Sequence, residues 1–132
     1  LFHTFKLFSN NCLGTSLDVF VECDTFHVSD YHKGIPYLDV SSVYEKDTNT
    51  LYINVVNRDK DREINTDILS CSGNFSGKAQ VSEINSEDIH AKYMFYKQQQ
   101  YIPVTKEVPV KGNSITYSFP AHSFTQIKVK MD

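Results

Sequence analysis

Leu51-Tyr52-Ile53-Asn54-Val55-Val56 alternates in character along its length. Successive side chains of an extended chain point to opposite faces, so Leu51, Ile53 and Val55 share one face and Tyr52, Asn54 and Val56 the other. The polar segment just before it, Glu45-Lys46-Asp47-Thr48-Asn49-Thr50, reads as a turn. Residues 37–44, rich in β-branched and aromatic side chains, then form the partner arm of a β-hairpin.

The same period extends in both directions. Leu17, Val19, Val21 and Cys23 alternate with Asp18, Phe20, Glu22 and Asp24, which predicts a strand with one buried face. After a turn at 57–62, Ile64, Thr66 and Ile68 share a face within 63–71, and Gly73 and Gly77 frame a loop before a further strand at 78–84. Near the end Ile115, Tyr117 and Phe119 alternate with polar neighbours, Pro120 interrupts, and Ile127, Val129 and Met131 resume the pattern. Lys111-Gly112-Asn113 is a turn signal between the last strands. One short helix, or a helical turn, is predicted after Asn85, with Asp88 completing a capping pattern. Residues 1–10 read as a strand or as the end of a longer helix, and Gln98-Gln99-Gln100 as loop.

Seven or more short strands joined by polar turns imply an all-β fold, an antiparallel β-sandwich, with at most one short helix. Parallel βαβ architecture needs crossover helices of about ten residues, for which there is no room. At 132 residues the chain suits one domain that needs neither disulfides nor metal to fold. A net charge of −3 with no basic stripe gives no support to a nucleic-acid role. No apolar run approaches the ~20 residues that a membrane-spanning helix requires. The opening Leu1-Phe2-His3-Thr4-Phe5-Lys6-Leu7-Phe8, without Met or signal peptide, reads as the middle of a larger protein, which leaves the compartment open.

Residue types able to do chemistry are present but scattered. Asp18, Glu22 and Asp24 read as the polar face of a half-buried strand, and Glu83, Glu87 and Asp88 as helix-start and loop charges. The mixed run Asp59-Lys60-Asp61-Arg62-Glu63 reads as a solvated turn. His27 and His32 share a loop with Asp24 and Asp30, but no element fixes a metal-ligand spacing there. His122, after Pro120, is expected to hydrogen-bond in a turn. Cys12, Cys23 and Cys71 form no paired motif and read as structural. No phosphate-cradling loop appears, and Asn74-Phe75-Ser76 matches a glycosylation sequon that matters only in a secretory host. No catalytic, metal or cofactor-binding residue is assigned.

Several segments, in order, resemble the α-L-arabinofuranosidases of glycoside hydrolase family 51. They are Phe5-Lys6-Leu7-Phe8-Ser9-Asn10 followed by Leu17-Asp18-Val19, then Pro36-Tyr37-Leu38-Asp39-Val40-Ser41-Ser42-Val43, then Leu51-Tyr52-Ile53-Asn54-Val55-Val56-Asn57-Arg58, and finally Phe119-Pro120-Ala121-His122-Ser123-Phe124-Thr125. Tyr93-Met94-Phe95 departs from the family, which often places Asn, a small residue and Phe there. The resemblance implies a parent with a (β/α)8 barrel, a junction at residues 1–14 and a jelly-roll-like C-terminal sandwich at 15–132. It implies a retaining hydrolase that releases terminal arabinofuranosyl residues, with both catalytic glutamates on the barrel and none in this chain. Expected partners are that barrel, other copies in a homo-oligomer of the parent, and arabinan or arabinoxylan oligosaccharides as the parent's substrate. Phe2, Phe5, Leu7 and Phe8 either pack on the barrel or fill the sandwich's own core. The alternative function is a carbohydrate-binding module using Tyr31, Tyr37, Tyr93, Tyr96 and Tyr101, an idea weakened by the absence of Trp.

Overall fold

The predicted hairpin forms, with β4 at Leu38–Glu45 and β5 at Thr50–Asn57. Their eight residue pairs run from Leu38 opposite Asn57 to Glu45 opposite Thr50. Asn49 closes the turn at a left-handed φ of 49°, a conformation Asn tolerates better than most residues. Its side chain accepts a hydrogen bond from the Tyr44 hydroxyl (2.6 Å) and donates one to the Met131 carbonyl (2.7 Å), tying the turn to the far end of the chain. The computed structural model describes residues 1–92, 94, 96–97 and 101–132. Tyr93, Phe95 and Gln98-Gln99-Gln100, which figured in the expectations above, lie outside the described residues.

A six-stranded antiparallel sheet is built around that hairpin. Its order is β1 (Thr15–Leu17), β4, β5, β10 (Phe124–Met131), β7 (Phe75–Ile84) and β8 (Val104–Pro109). Gly14 leads into β1 where the chain passes so close to β4 that a Cβ would lie 2.3 Å from the Tyr44 carbonyl oxygen, so no larger residue fits. Facing the sheet is an antiparallel ribbon of β6 (Ile64–Leu69) and β9 (Ser114–Phe119). Between these layers lies an apolar core that includes Ile53, Val55, Val81, Ile115, Phe119, Ile127 and Val129. A second ribbon, β2 (Thr25–Phe26) with β3 (Ile35–Pro36), stands at one end. The chain is thus an all-β sandwich carrying, among the described residues, one short helix, α1 (Phe2–Asn11).

Buried polar groups lock that end. The Asn57 side-chain nitrogen lies within 3.0 Å of the carbonyl oxygens of Arg62, Phe119 and Pro120, joining the loop after β5 to the β9–β10 corner. Asp59, 5% exposed, accepts hydrogen bonds from the Asp61 and Arg62 backbone N–H groups and from Arg62 Nε. The Asp61 N–H dominates in holding its carboxyl below the usual range, against the opposing effect of burial. Asp59 was read as part of a solvated turn; it is instead the buried centre of that turn.

Three further readings are corrected. Of the first alternating segment, 17–24, only Leu17 pairs in a ladder, at the end of β1 (Thr15–Leu17). Residues 18–24 set Val21 and Cys23 against the core, yet join no ladder. Among the described residues no helix follows Asn85, because side chains there bond the local backbone and compete with helical hydrogen bonds. Ser86 N–H donates to Asn85 Oδ1 (2.7 Å), Ser86 Oγ to the Asp88 carbonyl (2.9 Å), and His90 N–H to Asp88 Oδ1 (2.8 Å). Glu83 is not a helix-start charge: it lies on β7, where it accepts the Tyr117 hydroxyl (2.6 Å) and meets Lys106 (3.4 Å). Burial, with that hydrogen bond, pushes the Tyr117 phenol strongly upward.

Candidate functional site

The chain's most distinctive surface is where α1 meets the sheet. Isolated helices of ten residues are marginal in water, and α1 has no side-chain cap, no acidic first turn and no basic last turn. It is held by contacts with the sheet face that points away from the core. Phe8 packs on Phe124 with ring centroids 5.4 Å apart. Asn11 donates to Gln126 (2.7 Å), Gln126 donates to Asn54 (2.7 Å), and Asn54 donates to Cys12 Sγ (3.4 Å). Asn54 and Gln126 are each only 2% exposed. An amide so buried must find partners or lose about 1–3 kcal/mol, and here one helix end and two strands supply them.

The opposite face of α1 packs on no strand among the described residues. Phe2 and Phe5, three residues apart and therefore on one face, are 71% and 65% exposed. Leu1, Leu13 and Phe20 are also largely exposed. The aromatic opening thus divides: Leu7 and Phe8 serve the sheet contact, Phe2 and Phe5 face solvent, and none of the four joins the core. Each buried Phe side chain is worth about 1.5–3 kcal/mol, so a partner covering this patch would gain appreciably.

The other candidates disperse. Asp18 and Glu22 are exposed on the segment after β1, and Asp24 pairs with Arg62 at 3.6 Å. Glu87 is exposed, and Asp88 is engaged by its own turn. His27 and His32 bond within their loop, His27 Nδ1 accepting from the Gly34 N–H (2.9 Å) and His32 Nδ1 meeting Ser29 Oγ (3.0 Å). Among the described residues no three His, Cys, Asp or Glu converge as metal ligands. His122 makes turn hydrogen bonds, as expected: at φ 41° its ring nitrogens meet the carbonyl oxygens of Lys60 (2.9 Å) and Ser86 (2.5 Å). The three cysteines are free thiols. Asn74 is exposed in the turn leading to β7, and Tyr31 and Tyr96 are exposed as well. The residues missed by sequence reasoning are Asn54, Gln126 and Asn11. Each is a polar residue in an alternating or helical segment, and nothing local marks it as buried.

A family model described as the α-L-arabinofuranosidase C-terminal domain matches residues 1–123, helix and sandwich together. The chain belongs to the α-L-arabinofuranosidase C-terminal domain family. No curated protein matches its sequence. Among solved structures, this arabinofuranosidase domain superposes on α-L-arabinofuranosidase from Thermotoga maritima with a TM-score of 0.85 at 19% identity, over 98% of this chain and 28% of that one. The GH51 arabinofuranosidase from Xanthomonas axonopodis pv. citri gives 0.83 at 20% identity, over 98% and 26%. A family 51 α-L-arabinofuranosidase from Bifidobacterium longum gives 0.78 at 19% identity, over 97% and 25%. At such identities the likeness is one of fold. The arabinofuranosidase domain spans about a quarter of the length of these enzymes, as an accessory C-terminal domain does.

Proposed function

We propose that this domain is the non-catalytic C-terminal part of a retaining α-L-arabinofuranosidase, and that it packs on the enzyme's (β/α)8 barrel through the outward face of α1. Residues 1–14 form the junction and 15–132 the sandwich. The parent removes terminal arabinofuranosyl residues from arabinan or arabinoxylan oligosaccharides with two glutamates that lie on the barrel. The observation that carries this reading is the family match together with Phe2 and Phe5, which hold apolar surface in water beside a helix firmly docked on its other side. The retaining route needs two carboxyl groups about 5–5.5 Å apart. The acids of this chain singled out above are instead exposed, paired with cations or tied into turns.

Incubation of the isolated chain with a chromogenic arabinofuranoside should give no turnover above buffer, whereas clear hydrolysis would place the active site here and refute the reading. The same chain joined to its upstream barrel should hydrolyse the substrate.

A further inference from the structure

We propose that the outer edge of β6 seats one more strand, supplied by the parent enzyme's own polypeptide from outside residues 1–132. The proposal rests on the reading of this chain as part of a longer enzyme, and it concerns a contact separate from the docking of α1. Among the described residues β6 pairs only with β9, so its other edge presents backbone groups that no strand bonds. Such an edge is a template for a further strand.

Burial across the ribbon marks its layer as unfinished. Ile64 lies opposite Phe119 and Ile68 opposite Ile115, and all four side chains turn toward the core. The β9 members are sealed, with Phe119 at 1% and Ile115 at 0% exposure, while Ile64 and Ile68 stay half-buried. Residues opposite each other in one ladder face the same sheet, so the difference arises on the open side of β6. A cleft of about 400 Å³ runs along that side, between β6 and residues 22–24. Cys23 there packs against the core, yet the stretch joins no ladder. Asp24 meets Arg62 at 3.6 Å and closes one end. Chain borders the cleft on both sides, which leaves a place for a single strand and not for the edge of another sandwich.

The surroundings define the occupant. Its inward side chains are apolar, completing the cover of Ile64 and Ile68. Its outward side chains are basic, because Glu22, Asp24, Glu63 and Asp67 line the cleft. Arg62, the one cation among the lining residues, is taken by Asp59 at 2.7 Å and by Asp24. Glu22, Glu63 and Asp67 pair with no cation among the described residues. Opposite charges on neighbouring strands are stabilising, and like charges the reverse. The same polypeptide is the source because this chain spans only about a quarter of the length of the similar arabinofuranosidases. A tethered segment also meets the edge at a higher effective concentration than a separate molecule does. A second copy has no strand to spare, since every strand of the described residues already pairs within its own sheets.

The test is amide hydrogen exchange on the whole parent enzyme, with its hydrolysis of a chromogenic arabinofuranoside measured in parallel. Amides of 64–69 that β9 leaves unpaired should exchange within about tenfold of those bonded to β9, where a free edge would exchange on the order of 1000-fold faster. The protection should not change with enzyme concentration. p-Benzoylphenylalanine at the exposed Asn65 should cross-link, on irradiation, to an alternating apolar and basic stretch outside residues 1–132 of the same molecule, identified by mass spectrometry. Glu22→Lys combined with Glu63→Lys should lower the protection about tenfold. Fast exchange at those amides, protection that vanishes on dilution, a cross-link confined to residues 18–24 or to a second molecule, or a double variant that keeps full protection would each overturn the proposal. An active enzyme that protects α1 but not 64–69 sinks the added strand alone. A longer protein that lacks the activity but protects 64–69 refutes the proposed parent and leaves the strand standing.

Discussion

On β10, Thr125, Ile127 and Val129 turn toward the β6–β9 ribbon, while Phe124 and Gln126 turn toward α1. Both faces are buried, with Ile127 at 0% and Gln126 at 2% exposure. They are buried by different means. The ribbon side is filled by apolar side chains, whose burial is non-directional and scales with area. The helix side is held by a chain of amide hydrogen bonds from Asn11 through Gln126 to Asn54, in which each member depends on the geometry of the next. Apolar burial supplies most of the stability of the sandwich. The amide chain sets where the helix lies, and with it the direction in which Phe2 and Phe5 face.

Substitutions along three consecutive residues of β10 can break or sharpen this contrast. Ile127→Ala on the ribbon side should cost the most, about 3–4 kcal/mol in urea unfolding, through lost transfer energy and the cavity left behind. Gln126→Ala on the helix side should cost about 2 kcal/mol, since it strands Asn11 and Asn54. Its combination with Asn54→Ala should cost less than the two single changes together, by about 1 kcal/mol in a double-mutant cycle. Strict additivity would mean the amides do not act as one unit. Thr125→Val should do the reverse and gain about 1 kcal/mol. Thr125 is fully buried and its hydroxyl has no partner among the described residues, and Val keeps its shape without the orphaned group. A loss of stability there would show that the ribbon side, too, relies on a polar contact.

Much of the sandwich was legible because period-two alternation is local. Strands were expected at 37–44, 51–56, within 63–71, at 78–84, around 115–119 and at 127–131, and strands form there with shifted ends, at 38–45, 50–57, 64–69, 75–84, 114–119 and 124–131. Failures occurred where alternation was absent or misleading. Strand β8 carries almost no buried side chain, so it left no apolar pattern to read. Residues 18–24 alternate in residue type, yet only Val21 and Cys23 turn inward and the segment finds no strand to pair with, because alternation is a property of one segment and a ladder is a property of two. The helix expected after Asn85 lost to local bonds made by the side chains of Asn85, Ser86 and Asp88; Asn85 and Asp88 are the residues that had suggested the cap. For α1, sequence patterning left strand and helix both open, and docking on the sheet accounts for the helix.

The sequence by itself determined that the chain folds mainly as strands and where most of the sandwich strands and the turns between them fall. Those features depend on neighbours along the chain, where backbone stereochemistry and side-chain alternation act directly. Only the tertiary structure decided that Asn54 and Gln126, 72 residues apart, are buried together beneath α1. Alternation reveals that a strand has two faces but not what covers the second one. A polar residue on that face looks the same in sequence whether water or a helix satisfies it.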